Sequence, residues 1–293
     1  MLAFAIQRRN MRMTYLGYYI NLDRSLDRRA AMEAQLGRFG LTERYRRFPA
    51  VDGTLSGYAS PRLTPGEVGC FASHYQVLRQ NLDSANHLHI IEDDVVLAGC
   101  TADVVDQVVG SAMIDDYDLL FTDMAVPVDF KFYREARIRY ERQVRRPAHA
   151  TATTVEFSLF PYISCTASYV VNRRSIGLVC KILERELERG ASEPIDLTLR
   201  AKVAEGSLRA KCLFPFITSV VPAKFANTVA RGGRDALSDL SMELVRYSFF
   251  VECDQAATMA LAEQRLADAG ANFHGRLLAR VFGFISSDAF RQP

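Results

Sequence analysis

Tryptophan is absent from the 293 residues, so any flat stacking platform must come from the 12 tyrosines and 18 phenylalanines. An excess of one charge is lacking too. The 36 Lys and Arg against 34 Asp and Glu leave a formal charge of +2, which provides no global field to draw in nucleic acid. No uncharged apolar run reaches the roughly 20 residues that a membrane-crossing helix needs. The start does not read as a secretory signal either, because Arg8, Arg9 and Arg12 follow a short apolar run instead of preceding it. The cysteines at 70, 100, 165, 180, 212 and 253 form no Cys-x-x-Cys and no Cys/His pair of zinc spacing. A structural zinc site is therefore not expected, and scattered reduced thiols of a cytoplasmic protein are the simpler reading. No internal repeat or low-complexity segment is present.

What is present is a chain 49% hydrophobic, enough for one large core with a small appended unit. Tyr18–Leu22 has strand composition, and Ser25 then opens a polar, Ala-rich helix closed by Gly40. Phe48 to Gly53 reads as a brief strand ending in an Asp-Gly turn. Thr64-Pro65-Gly66-Glu67 combines a cap, a proline at the first helical position and a capping-box glutamate, predicting a helix to about Gln80. Gly66, Gly69 or Cys70, and Ser73 share one face of that helix, a smooth strip beside His74 where a backbone or ligand can approach closely.

A strand over 87–91 stops at Glu92-Asp93-Asp94 before Val95-Val96-Leu97 resumes, and a helix over 101–113 leads to a strand at 117–121 ending at Asp123. The pattern fails over 127–150, where seven Lys or Arg and three acids interleave with aromatics; this is either an excursion that meets a substrate or a solvated surface segment. A strand over 168–171, a helix to about Arg189, a helix opening at Glu193-Pro194-Ile195-Asp196 and a strand pair within 208–221 complete the pattern. Alternation of this kind predicts an α/β fold with a mostly parallel sheet flanked by helices. Helices without strands follow, so the expected division is an extension over 1–16, a catalytic domain over 17–240 and a helical segment over 241–293.

Three adjacent carboxylates at the end of an apolar strand are costly unless something neutralises them. In an extended chain Glu92 and Asp94 project to one side and Asp93 to the other, which makes an acid-x-acid clamp for Mg²⁺ or Mn²⁺ against a diphosphate. The plainer reading is an acidic surface loop.

The wider set of motifs resembles glycosyltransferase family 25. It comprises Tyr19-Ile20-Asn21-Leu22 with Arg28-Arg29, Val51-Asp52-Gly53, the run Gly66-Glu67-Val68-Gly69-Cys70-Phe71-Ala72-Ser73-His74, and Ile91-Glu92-Asp93-Asp94-Val95. The run from Gly66 is the specific one. Tyr169-Val170-Val171-Asn172-Arg173 and Pro194-Ile195-Asp196 resemble later landmarks, whereas the chain beyond about Val221 offers no match. The resemblance implies a GT-A type fold, a UDP-sugar donor such as UDP-galactose, a glycan or glycolipid acceptor of the kind found on bacterial surfaces, and Mn²⁺ or Mg²⁺ bound through Glu92 and Asp94. It places Asn21, Leu22, Arg28, Asp52, Gly53 and Asp93 at the nucleotide.

Arg28 also reads as an exposed helix residue and Asp52 as a turn former. His74 reads as a packing or hydrogen-bonding residue, His87 and His89 as ordinary strand residues, and Cys70 as a small buried residue. Asp196 is expected to act as the general base of an inverting transfer or, alternatively, only to stabilise its helix N-terminus. A binding or regulatory module that keeps the fold without turnover is the alternative to an enzyme, with a metal-dependent phosphohydrolase a weaker third. Finally, Phe273–Ile285 sets Arg276 and Arg280 among apolar residues, a pattern for peripheral membrane contact or for packing on its own domain.

Overall fold

The computed structural model describes residues 15–127, 129–145, 154–222 and 236–268. The expected helix at Phe273–Ile285 and the extension before residue 15 lie outside them. The fold is α/β, as the alternation predicts. A seven-stranded sheet runs in the order β2 (Tyr45–Pro49), β1 (Tyr15–Asn21), β3 (His87–Glu92), β9 (Ser168–Val171), β5 (Leu119–Phe121), β10 (Ala210–Phe214), β8 (Ser158–Pro161). β1 pairs in parallel with both β2 and β3, and β5 with β10, while β9 and β8 run against their neighbours. Five strands thus share one direction.

Both faces of this sheet are covered, which explains the near-continuous apolar runs of its strands. Successive residues alternate between two cores: Leu88, Ile90, Leu119, Phe121, Tyr169 and Val171 in one, Ile91, Leu120 and Val170 in the other. Helices α2 (Pro65–Arg79), α5 (Ile176–Glu188) and α6 (Ile195–Ala204) supply the first core; α1 (Leu26–Arg38) and α3 (Thr101–Val109) supply the second.

The expected capping box forms at α2, where Thr64 accepts from the Glu67 amide and Glu67 accepts from the Thr64 amide. Ser25 precedes α1 but makes no side-chain cap. The other end of α1 closes as expected. Gly40 has φ +67°, and the Gly40 and Leu41 amides donate to Gly37 and Leu36, so a left-handed residue satisfies the last carbonyls.

Several local expectations need correction. The second strand ends earlier, at Pro49, and the helix over 101–113 is two pieces, α3 and a 3-10 turn at Ala112–Asp116. β4 (Val95–Leu97) does not continue the main sheet; it pairs with β11 (Thr218–Val220) in a separate ribbon, so β10 and β11 are not partners. β8 was not anticipated.

The segment within 127–150 contains a helix, α4 (Phe130–Gln143), followed by β6 (Val144–Arg145), which pairs with β7 (Thr154–Val155). Asp129 caps α4 by accepting from the Phe132 amide, and the charges that mask its pattern pair at helical spacing as Glu135–Arg139 and Arg137–Glu141. Its inner face packs Phe132 on Phe160 and Tyr140 on Phe214, with Ala136 buried between.

Near the C-terminus, α7 (Ala236–Ser248) and α8 (Gln255–Asp268) are helical as expected. The expected boundary at 240 falls inside α7, whose following residues Phe249, Phe250 and Val251 are buried in the two cores.

His89 is fully buried on β3, with Nδ1 2.6 Å from the Tyr45 hydroxyl and Nε2 3.0 Å from the Ser168 hydroxyl. Burial pushes its pKa down from 6.5 to about 3. Below pH 6.5 the unfolded chain therefore binds a proton that the folded chain refuses, and stability falls as pH falls. Urea unfolding between about pH 6 and pH 4 should show a pH slope steeper for wild type than for His89→Gln by about 1.4 kcal/mol per pH unit. Equal slopes would mean that His89 is protonated inside the fold.

Candidate active site at the ends of the parallel strands

The chain steps from β1 to β2 and then crosses back to β3 on the other side of β1, so strand order reverses at the carboxyl ends of β1 and β3. Such a switch point opens a crevice. The register sets Ile20 opposite Glu92, which brings Asn21 to Asp93. A cleft of about 240 Å³ lies there, lined by Leu22, Arg28, Asp52, Gly53, Glu92 and Asp93 among others.

Glycine forms one wall. The Gly53 turn lies against the start of α2 so closely that a Cβ on Gly53 would sit 1.7 Å from the Pro65 carbonyl oxygen, and one on Gly69 would sit 2.5 Å from that of Val51. Ser73 completes the contact by accepting from the Val51 amide at 2.8 Å and donating to the Gly69 carbonyl at 2.6 Å. The smooth strip read on α2 is thus used by backbone.

The acidic run does not stay extended. β3 ends at Glu92 and Asp93-Asp94 make a turn into β4, so strand alternation does not orient these three side chains. Instead each carboxylate finds a different environment. Asp93 accepts from Arg28 at 2.9 Å and from the Asn21 amide at 2.7 Å. Asp94 Oδ2 accepts from Arg28 at 3.3 Å, while Oδ1 is buried with no hydrogen-bond partner. Glu92 Oε1 lies 3.5 Å from His74 Nε2 and 3.9 Å from the Cys70 sulfur.

Burial first, then the Glu92 charge, push the Asp94 carboxyl up to about 7 against the pull of Arg28. Burial also works to raise Glu92, but His74, Arg246 and Arg28 together hold it below the ordinary glutamate value. Burial, reinforced by Glu92, drives the Cys70 thiol well up, which removes it as a thiolate nucleophile, although the residue is partly exposed where a buried one was expected.

Of the residues expected at the nucleotide, Leu22, Arg28, Asp52, Gly53 and Asp93 line the cleft, and Asn21 stands behind them. Its side chain donates to Ser25 and Asp93 and accepts from Arg47, so Asn21 aims Asp93. Asp52 accepts from Thr54 and pairs with Arg24, and the Thr54 bonds lead in lowering its pKa.

A second cleft of about 520 Å³ opens beyond Glu92, lined by Glu67, Cys165, Asp196, Arg200 and Arg246 among others. Cys70 and Glu92 line both clefts, which therefore meet at that carboxylate. Asp196 opens α6 as expected; its carboxylate accepts from the Cys165 amide at 3.2 Å and from its neighbour Leu197 at 2.9 Å. Neither Tyr nor Phe is among the residues lining either cleft.

Two residues here escaped the sequence reading of function. Arg246, on α7, pairs with Asp123, which is fully buried just after β5. Burial raises the Asp123 carboxyl while Arg246 opposes it. Nothing in the local pattern of α7 marks Arg246 apart from other helix arginines.

The sequence model of glycosyltransferase family 25, described as LPS biosynthesis proteins, matches residues 16–196, which includes β1, the acidic run and Asp196. The chain belongs to this family. Family 25 members from Anopheles gambiae and Aedes aegypti are similar to it, 34% identical over 97 residues and 32% over 124. These stretches cover 27% and 36% of this chain but 16% and 20% of the insect proteins. A Drosophila melanogaster member is 34% identical over 100 residues, again 27% of this chain and 16% of the relative. The chain thus spans a fifth or less of the length of these curated relatives. The matched span ends at Asp196, well before α7.

The Gly53–Gly69 contact is testable on its own. Gly69→Ala should lower the unfolding free energy by about 1–3 kcal/mol, because two backbone segments must separate. Gly57→Ala, whose Cβ would meet nothing within 4 Å, is the control. Equal stability of the two variants by urea titration would show that the close approach is dispensable.

Proposed function

We propose that this family 25 chain moves a hexose, galactose or a relative, from a UDP-sugar to a hydroxyl of a surface glycan or glycolipid, inverting the anomeric centre. The observation that carries this reading is the meeting of two clefts at Glu92. Group transfer needs two substrate sites open to each other at the reacting atoms, and a single-ligand binding module does not. The cleft at the switch point suits the nucleotide sugar, with Arg28 beside its phosphates and Asp52 toward uracil or ribose. The cleft beyond Glu92 suits the acceptor.

The carboxylates fit a divalent cation. Asp93 is already engaged by Arg28 and Asn21, whereas Asp94 Oδ1 is buried without a partner and Glu92 faces the junction of the clefts. Glu92 and Asp94 would thus hold Mn²⁺ or Mg²⁺, whose hard oxygen preference they meet. When bound, such a cation neutralises charge on the departing nucleoside diphosphate.

Asp196 is the carboxylate of the acceptor cleft assigned as general base. Two backbone amides orient it at the lining of that cleft, where a base must stand to take the proton of the attacking hydroxyl. Residence in the cytoplasm belongs to the same proposal. So does contact with an inner membrane surface through Phe273–Ile285, which rests on its basic amphipathic sequence; no described helix is long and apolar enough to cross a membrane.

Calorimetry should find UDP binding dependent on Mn²⁺ in wild type, with most of that dependence lost in Asp94→Asn, because the amide cannot supply the negative charge. Equal UDP affinity of the two proteins in Mn²⁺ would remove Asp94 from the cation site.

The general base is tested separately. Asp196→Asn should bind UDP and Mn²⁺ normally yet release UDP from UDP-galactose in the presence of hexose acceptors roughly 10²–10⁴-fold more slowly. A variant that transfers at the wild-type rate but melts lower would make Asp196 a structural residue of the α6 start.

A further inference from the structure

Cys70 and His74 stand four residues apart on one face of α2, and Glu92 ends the neighbouring strand β3. The thiol sulfur, the imidazole Nε2 and a Glu92 oxygen all lie within 4.8 Å of one another, with two of the separations 3.5 and 3.9 Å. Ligand atoms around a tetrahedral zinc ion stand about 3.3–3.6 Å apart, given Zn–S near 2.3 Å and Zn–N or Zn–O near 2.0–2.2 Å. An inward adjustment of the Cys70 side chain would bring the present arrangement to that geometry.

The histidine is already prepared as a ligand. Its side chain is fully buried, its ring stacks on Tyr169 with centroids 5.6 Å apart, and Nδ1 lies 2.9 Å from the Tyr169 hydroxyl. That bond fixes the ring and leaves Nε2 facing Glu92, buried and without a hydrogen-bond partner. A metal-bound histidine is normally held in this way through its other ring nitrogen. A buried nitrogen whose only near approach is a carboxylate oxygen at 3.5 Å, with a thiol beside it, is left short of a full hydrogen bond.

We propose that Cys70, His74 and Glu92 form a binding site for a thiophilic divalent cation of the zinc class, which shares only Glu92 with the hard-cation site of the acidic run. The mixed sulfur, nitrogen and oxygen set favours zinc over magnesium or manganese. Because Cys70 and Glu92 line both clefts, the fourth coordination position opens to the junction where they meet. One carboxylate serves both sites, so zinc here draws Glu92 away from Asp94 and competes with the donor-side cation. The inference does not depend on which sugar is transferred, or on transfer at all.

Zinc and cobalt(II) titrations of the full chain, kept reduced with a phosphine, test it. One equivalent of Co²⁺ should produce a near-ultraviolet thiolate-to-metal charge-transfer band, and Zn²⁺ should displace it. Cys70→Ser should abolish the band and weaken Zn²⁺ by more than roughly 100-fold, since even an outer partner is worth about 10–100-fold. Tyr169→Phe, which keeps the ring and the fold, should weaken Zn²⁺ by about 10–100-fold through the loosened imidazole. Absence of the band, or a band that survives Cys70→Ser, overturns the proposal. UDP binding in Mn²⁺, measured on the same protein without Zn²⁺, reads the donor site alone, so failure of either site is seen separately.

Discussion

Carboxylates gathered at the ends of β3 and β5, the two strands that flank β9, set the terms for the rest of this structure. Glu92 ends β3, Asp93 and Asp94 follow it, and Asp123 follows β5. Two guanidinium groups answer them, Arg28 from α1 and Arg246 from α7. Breaking a buried ion pair by removing one partner costs about 3–5 kcal/mol, a large share of a typical domain's stability. The compensation is incomplete, since Asp94 and Asp123 each keep an oxygen without a hydrogen-bond partner. That residual demand for positive charge sits where elements from both halves of the chain meet.

The arrangement gives the C-terminal region a chemical part. The family match ends at residue 196, yet α7 lies against the second cleft with Met242, Glu243 and Arg246, and the residues after it fill both cores. Loss of this helix would expose apolar surface and leave Asp123 buried without its cation. Stability and site chemistry are therefore coupled through one arginine, and a boundary drawn inside α7 separates groups that depend on each other.

The first cleft was legible because its residues are local and patterned. The capping box at Thr64, the glycines that face the 51–53 turn, and the acids after an apolar strand all follow from spacing within one or two elements. The helix at 130–143 was hidden for the converse reason: its charged residues outnumber its buried aromatics, and its inward face becomes evident only beside Phe160, Phe214 and Phe249. The side-to-side alternation expected for residues 92–94 failed because β3 stops at Glu92, where its pairing with β1 and β9 ends and the chain turns toward the ribbon with β11.

By itself the sequence determined the α/β alternation, the family and the stretch in which the acidic residues fall, since each depends on residue order and period. Only the tertiary structure decided which carboxylate is occupied by Arg28 and Asn21, which keeps a bare oxygen, and which stands between two clefts. Those distinctions arise from contacts between residues as far apart as Asn21 and Asp93, or Asp123 and Arg246. Burial and pairing across the sheet set the energy of a charge, and neither is a property of its neighbours in the chain.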